Sequence, residues 1–252
     1  RKYHQELLFT FTESRQKTLA ACTSVYRRGV ADGALVFSPV VEEMAGLLAL
    51  QQAGFPIVVI HPPALLDGLT SIAPDDYEGA IMATRHLIDL GHRKIGIIIE
   101  SDTWGAGPGR LAGYLGVLKE AGLEINDDLI LKGYPGFPES GRSAAQKWLA
   151  DGIELTAVVC FNDLVAYGLI HELHAAGVEV AEQISVVGFD DIPNSQYIPS
   201  LGLTTIRQPI AEIGAAALAK LVHLIDNTAE PGQHISVPME LVVRGTTKAM
   251  NH

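Results

Sequence analysis

Three short apolar runs in the last third of the chain, each ending in polar residues, constrain the fold more than any other feature. They are Val158-Val-Cys-Phe-Asn-Asp-Leu164, Ser185-Val-Val-Gly-Phe-Asp-Asp-Ile192 and Leu203-Thr-Thr-Ile-Arg-Gln-Pro209. Apolar runs of this length, with a helical segment between the first two, read as buried parallel strands. The polar residues behind them then stand at strand carboxyl ends, where open α/β sheets bind ligands. Asn162, Asp163, Asp190, Asp191 and Gln208 are thereby aimed at one crevice, with no phosphate loop or metal cluster among them. Such a set suits a small polar molecule held by side chains.

The same alternation runs through the rest of the chain. Strand patterns occur at Leu7–Phe11, Ala34–Phe37, Ile57–Ile60, Ile95–Ile99, Leu129–Leu131, Ala157–Phe161, Ser185–Gly188 and Met239–Thr246. Helical patterns fall at Ser14–Arg28, Val41–Gln52, Glu78–Leu90, Arg110–Ala121, Ser143–Ala150, Asp163–Ala176 and Ile210–Asp226. Gly54, Gly91, Gly122 and Gly177 stand just past helix ends, the position glycine favours. Strands separated by helices imply βαβ units and parallel sheets. Leu50–Ile60 and His174–Gly188 repeat one order, a helix end, a glycine and a buried strand. That echo predicts two similar Rossmann-like lobes, and a cleft between lobes is a common ligand site.

Composition narrows the function. A net charge of −11 and a pI near 5.2 argue against nucleic-acid binding by this stretch alone, because such binding rests on Lys and Arg. No apolar run is long enough to cross a membrane. Two isolated cysteines, Cys22 and Cys160, suggest a reducing compartment but leave one disulfide open. Gly105-Ala-Gly-Pro-Gly109-Arg-Leu-Ala112 contains a dinucleotide-type spacing, yet Glu100–Trp104 separate it from the preceding strand, so a flexible loop leading into a helix is the better reading. The nine histidines show no metal spacing and no nucleophile elbow is present, so no cofactor, metal or catalytic set is expected. Asp190 and Asp191 are adjacent on an extended segment and point apart, a poor catalytic pair. One of them accepting from a ligand while the other makes structural bonds is more economical. Arg110 at a helix start is either a solvated first-turn residue or a functional one, since a cation there gains nothing from the dipole, and its planar fork suits carboxylates or vicinal hydroxyls. Trp104 is either a core anchor or a stacking platform.

These segments together resemble the LacI/GalR family of bacterial transcription regulators. Asp76-Tyr-Glu-Gly-Ala80 with His86–Gly96, Arg110-Leu-Ala-Gly-Tyr114, Thr156–Asp163, Ile184–Asp191, Leu203–Pro209 and Glu240–Thr246 carry the likeness in order and spacing over nearly the whole chain. The resemblance implies a two-lobed, periplasmic-binding-protein-like effector domain of type I. It divides the chain into a first lobe of 1–91 plus 208–236 and a second of 92–207 plus 237–252. It also implies that the first strand of the first lobe is missing, so that Leu7–Phe11 is about the second.

Carried over residue by residue, Arg110, Asn162 and Asp190 fall at effector-contact positions, and Trp104, Gln208 and Glu78 at or near them. Phe137 lies near an aromatic stacking position. The implied partners are a small effector, most simply a sugar or sugar derivative, a second copy of the chain, and operator DNA through an N-terminal helix-turn-helix outside this sequence. The implied location is cytoplasmic. A periplasmic sugar-binding protein of the same fold is the alternative, and a sugar-acting enzyme is disfavoured for want of a nucleophile or acid/base set. Apolar residues nearly all round Glu78–Leu90 suggest either a subunit contact or a helix buried twice within one lobe.

Overall fold

The computed structural model describes residues 6–10, 17–100, 106–132, 137–193 and 202–250. The chain forms two compact units, 1–74 with 209–237 and 75–208 with 238–252. The first crossing therefore comes at Pro74 and Asp75, not near Gly91-His92. The reason is packing. The helix Asp76–Asp89 (α3) lies against Ala106–Glu120 (α4), where Gly113 leaves room for the backbone of Tyr77 and the methyl of Ala80. Its apolar face joins the second unit's core through Ala80, Ala83 and Leu87, with Met82 and Ile88 packed alongside. The helix is thus packed within its own unit through Ala80, Ala83 and Leu87, while Ile81, Met82, Ile88 and Leu90 are half-buried.

The first unit carries a four-stranded sheet in the order Ala34–Phe37 (β1), Ile57–Ile60 (β2), Thr70–Pro74 (β3) and His234–Val237 (β9), every pair parallel. Helices Thr18–Arg27 (α1), Val41–Gln52 (α2) and Ile210–Ile225 (α7) accompany it. Leu47, Phe55, Ile57 and Val59 centre one core, and Val58, Ile72, Ile213 and Ala217 the other. Alternate residues of β2 thus face opposite layers, as a strand's period of two requires.

The expected strand Leu7–Phe11 does not appear over residues 7–10, and Phe11 lies outside the described residues. Among the described residues, 6–10 belong to no strand, and Leu7, Leu8 and Phe9 are 63%, 63% and 76% exposed. A strand needs a partner ladder, and β1 is hydrogen-bonded along one side only, leaving Phe37 68% exposed.

In the second unit the order is Glu240–Val242 (β10), Thr204–Arg207 (β8), Ser185–Asp190 (β7), Ala157–Cys160 (β6), Ile95–Ile99 (β4) and Ile130–Lys132 (β5). Only β10 runs antiparallel. Helices Pro138–Ala150 (α5) and Asp163–Ala175 (α6) cover one face with Val158, Cys160 and Val186, while α3 and α4 cover the other with Val159, Val187 and Phe189. Cys22 and Cys160 lie in different units, both buried and free, so the disulfide left open by the sequence is absent.

His92 ties the chain's end to this sheet. It is 2% exposed, with Nε2 3.1 Å from the Lys248 carbonyl and Nδ1 3.0 Å from Thr156 Oγ1. A carbonyl only accepts, so Nε2 carries the proton and Nδ1 accepts from Thr156. Burial lowers the His92 pKa despite the Lys248 carbonyl, and burial lowers that of His86 as well. Folded values below the ordinary 6.5 mean that the unfolded chain takes up these protons first. The stability they contribute is therefore present above pH 6.5 and lost as pH falls through the folded values. The unfolding midpoint should drop on acidification through that range. His92→Gln should show a smaller drop, and an unchanged profile in that variant would remove His92 as its source.

Candidate functional site

At the carboxyl end of the second sheet, β6 leads through Phe161 into α6, and β7 ends at Asp190. Asn162 caps α6, its side chain accepting from the Val165 N–H at 2.9 Å. Phe161 precedes that cap, and its carbonyl accepts from Arg110 Nη1. Arg110 is 3% exposed and sits in the first turns of α4, sandwiched between rings: its guanidinium carbon is 4.1 Å from the Phe189 centroid and 4.8 Å from that of Phe161. Nε donates to Asp76 Oδ1 at 2.8 Å, and Nη2 lies 2.8 Å from the same oxygen in the ion pair.

Asp190 has φ 106 and accepts from Gln208 Nε2 at 2.5 Å. Burial pushes its carboxyl up, the Arg110 charge and the Gln208 bond pull it down, and Asp76 pushes it up again; the balance lies above the ordinary value. Asp190 and Arg110 are therefore close enough to feel each other, while Arg110 makes its direct ion pair with Asp76.

Of the residues singled out from sequence, Arg110, Asp190 and Gln208 come together, and Asn162 adjoins them through the Phe161 carbonyl. Glu78 is exposed in the first turn of α3, where its own N–H caps onto Asp75 at 3.1 Å. Phe137 stands at the N-cap of α5, 60% exposed, without a ring contact among the described residues. Trp104 lies outside the described residues.

The five polar groups expected to share one crevice divide by role. Asp191 makes structural bonds, accepting from Arg207 Nε at 2.7 Å and Arg244 Nη2 at 2.5 Å. Burial pushes its carboxyl up, but those two arginines outweigh it and hold it below the ordinary range. Asp163 turns inward to Thr205 and the Ile192 N–H.

Sequence reasoning missed Asp76 as a member of this group. Its signal was available: an acid in the first turn of an apolar helix, with one buried arginine to pair. The first unit shows two further residues at strand carboxyl ends, Ser38 after β1 and His61 after β2, with φ 48 and φ 52. Non-glycine residues in this region concentrate at functional sites. The His61 ring meets that of Phe37 edge-on at 5.5 Å. Neither residue type signals that backbone in advance.

A small cavity of about 150 Å³ lined by His92, Glu182, Gln183 and Lys248 adds no second site. Glu182 and Lys248 already pair at 2.6 Å, and His92 is bonded at both nitrogens.

The model for the periplasmic binding protein-like domain matches residues 84–247. A protein of Pasteurella multocida (strain Pm70) called HTH-type transcriptional repressor PurR is 38% identical over 181 residues. That match covers 71% of this chain and 54% of the relative, so the chain spans about half the length of that relative. Among solved structures, a regulatory protein of the LacI family from Chloroflexus aggregans superposes with a TM-score of 0.84 at 29% identity, covering 96% of this chain and 85% of that one. A LacI family transcriptional regulator from Enterococcus faecium with bound ribose gives 0.79 at 26% identity, covering 91% and 84%. The family-model match, the order of motifs and the strand-end architecture agree: the chain belongs to the periplasmic-binding-protein-like domain family, in the form of a LacI/GalR-type regulator effector domain.

Proposed function

We propose that the chain is the effector-sensing part of a bacterial repressor. It binds a small polar ligand, a sugar or sugar derivative, at the carboxyl ends of β6, β7 and β8. Asp190 is the acceptor for ligand hydroxyls or ring N–H groups, Arg110 supplies its remaining donors, and Asn162 and Gln208 complete the polar rim. Phe137, Trp104 and Glu78 are peripheral contacts in the same reading. The observation that carries it is Asp190: a half-buried carboxylate in left-handed backbone at a strand end, balanced by Arg110 and Gln208. The ribose in the Enterococcus faecium relative and the name of the Pasteurella multocida repressor support sensing and repression as the whole protein's role.

The intact protein then acts in the cytoplasm as a homodimer that reads operator DNA through an N-terminal helix-turn-helix. A ligand shifts that binding only by its different affinity for the protein's two states. No helix among the described residues is long and apolar enough to cross a membrane.

Thermal shift against ribose, cellobiose, sugar acids and purine bases tests the reading, since a ligand that binds the folded state raises the melting temperature. Asp190→Ala should weaken the ligand that binds by about 2 kcal/mol, roughly thirtyfold, the scale of a lost charged hydrogen bond. Equal affinity in the variant by calorimetry would take Asp190 out of the site. Cleavage of a glycoside during the screen would favour an enzyme instead.

A further inference from the structure

The turn Asp190–Ile192 begins with two consecutive non-glycine residues in left-handed backbone, φ 106 at Asp190 and φ 55 at Asp191. Such backbone persists only where its surroundings over-determine it. Three clamps hold it from outside the turn. Gln208 bonds the Asp190 side chain at 2.5 Å, and Arg207 and Arg244 bond that of Asp191. The third clamp grips the backbone itself: Asp163 Oδ2 accepts from the Ile192 N–H at 2.9 Å.

Asp163 is 1% exposed, and its other oxygen accepts from Thr205 Oγ1 at 2.5 Å. The carboxylate is so closely packed that a Cβ added at Gly188, two residues before Asp190, would lie 2.3 Å from Oδ1. One side chain at the start of α6 therefore fixes β7, β8 and the turn between them.

We propose that Asp163 is a positioning residue for the ligand site: by accepting from Ile192 and Thr205 it sets the turn that presents Asp190, and its protonation state grades how firmly that turn is held. This rests on the reading of Asp190 as a ligand contact. Ionised, Asp163 accepts both bonds. Protonated on Oδ1, it donates to Thr205 Oγ1, whose hydroxyl hydrogen turns elsewhere, and Ile192 keeps a neutral acceptor. Bonds to a charged acceptor are the stronger kind, so the turn is held harder in the ionised state.

The switch falls near neutrality. Burial pushes the Asp163 carboxyl up to about 7, against the bonds from Thr205 and Ile192, and the charges of Asp190 and Asp191 push in the same direction as burial. The titratable groups that face it are Cys160 on β6 and Asp190 and Asp191 at the end of β7, with Arg207 and Arg244 behind Asp191. Two effects of rising pH then have opposite signs. A folded value raised above the ordinary 3.8 means that the stability Asp163 contributes is lost as pH rises through about 7. The turn, by contrast, tightens over the same interval.

Hydrogen exchange of the Ile192 amide, corrected for the intrinsic rate and followed from pH 5.5 to 8 in the full chain, tests this without any ligand. Wild-type protection should rise severalfold across the interval. Asp163→Asn keeps an acceptor for Ile192 and a partner for Thr205 but cannot ionise, so its protection should be flat. Asp163→Ala should exchange at least tenfold faster throughout. Should that variant fail to fold, Thr205→Val removes one donor to the carboxylate and should move the midpoint of the protection profile upward. A folded Asp163→Ala with wild-type protection, or a profile equally steep in Asp163→Asn, overturns the proposal.

Affinity for whichever of ribose, cellobiose or a purine base binds then separates the two readings. A loss in Asp190→Ala but not in Asp163→Ala defeats positioning alone, whereas no loss in Asp190→Ala defeats the site reading beneath it.

Discussion

Gly168→Ala should destabilise the second unit by about 3 kcal/mol or more, the upper range for forcing extra volume into a packed core. A Cβ at Gly168 would lie 1.9 Å from the Pro138 carbonyl oxygen, and one at Gly141 2.0 Å from that of Val165. Both obstacles are backbone, so no side chain can swing away. The two helices α5 and α6 cross where each has no side chain, and either methyl would force them apart over Ala144, Ala145, Val165 and Leu169. In an open helix the same exchange works in reverse, because alanine is favoured over glycine by about 1 kcal/mol. Gly214, in α7 with nothing within 4 Å of its added Cβ, is the control and should gain stability. Urea unfolding of the three variants decides the matter. A Gly168→Ala midpoint at or above wild type would mean that the helices do not cross this closely.

Arg110→Met should cost about 3–5 kcal/mol, because it leaves one member of a buried ion pair without its partner. Side-chain exposures of 4% for Arg110 and 13% for Asp76 place the pair in that class. The substitution also strips the Phe161 carbonyl of a donor and Asp190 of its nearby cation, so ligand affinity should fall with stability. Asp76→Asn together with Arg110→Met should cost less than the two single changes added, since neither charge is then stranded. Arg110→Lys retains the charge but not the planar fork between the rings, and should recover only part of the loss. Strict additivity in the double variant would show that the pair is not coupled.

The strands most legible in sequence are those buried on both faces, although Ala34–Phe37 is also located with Leu35 and Phe37 exposed. Ile57–Ile60, Ile95–Ile99, Ala157–Cys160 and Ser185–Asp190 announce themselves because every residue is apolar or small. Thr70–Pro74 and His234–Val237 escaped notice because they are short and mix polar with apolar residues; their pairing with each other supplies what their composition does not. The last strand shrinks from the expected Met239–Thr246 to Glu240–Val242, because Thr246 leaves the ladder and bonds Val186 and Thr204 through its hydroxyl. Helices α4 and α5 begin earlier than their apolar periodicity suggested, at Ala106 and Pro138. Glycines and prolines at those starts read as loop, although proline suits a first helical turn.

For the proposed site, strand-end position singles out Asn162, Asp190 and Gln208 in the sequence, and Arg110 is added by its place at a helix start and by the family resemblance. Nothing local distinguishes Asp163, which turns inward, from Asn162 beside it. That difference is made by Thr205 and Ile192, 42 and 29 residues away.

The interleaving of the two units has a consequence for the chain as it leaves the ribosome. The first sheet is incomplete until residues 234–237 have emerged to lie beside β3, and the second until β10 covers β8. Between the synthesis of β8 and that of β10 the nascent chain exposes an unpaired strand edge for a few seconds, at about 5–20 residues per second. Thr204 and Thr205, buried in the finished protein, wait over the same interval for Thr246 and the antiparallel strand. Slow codons or a stalled ribosome between residues 208 and 240 would lengthen the exposure of both edges, since β3 also waits until residues 234–237 are made.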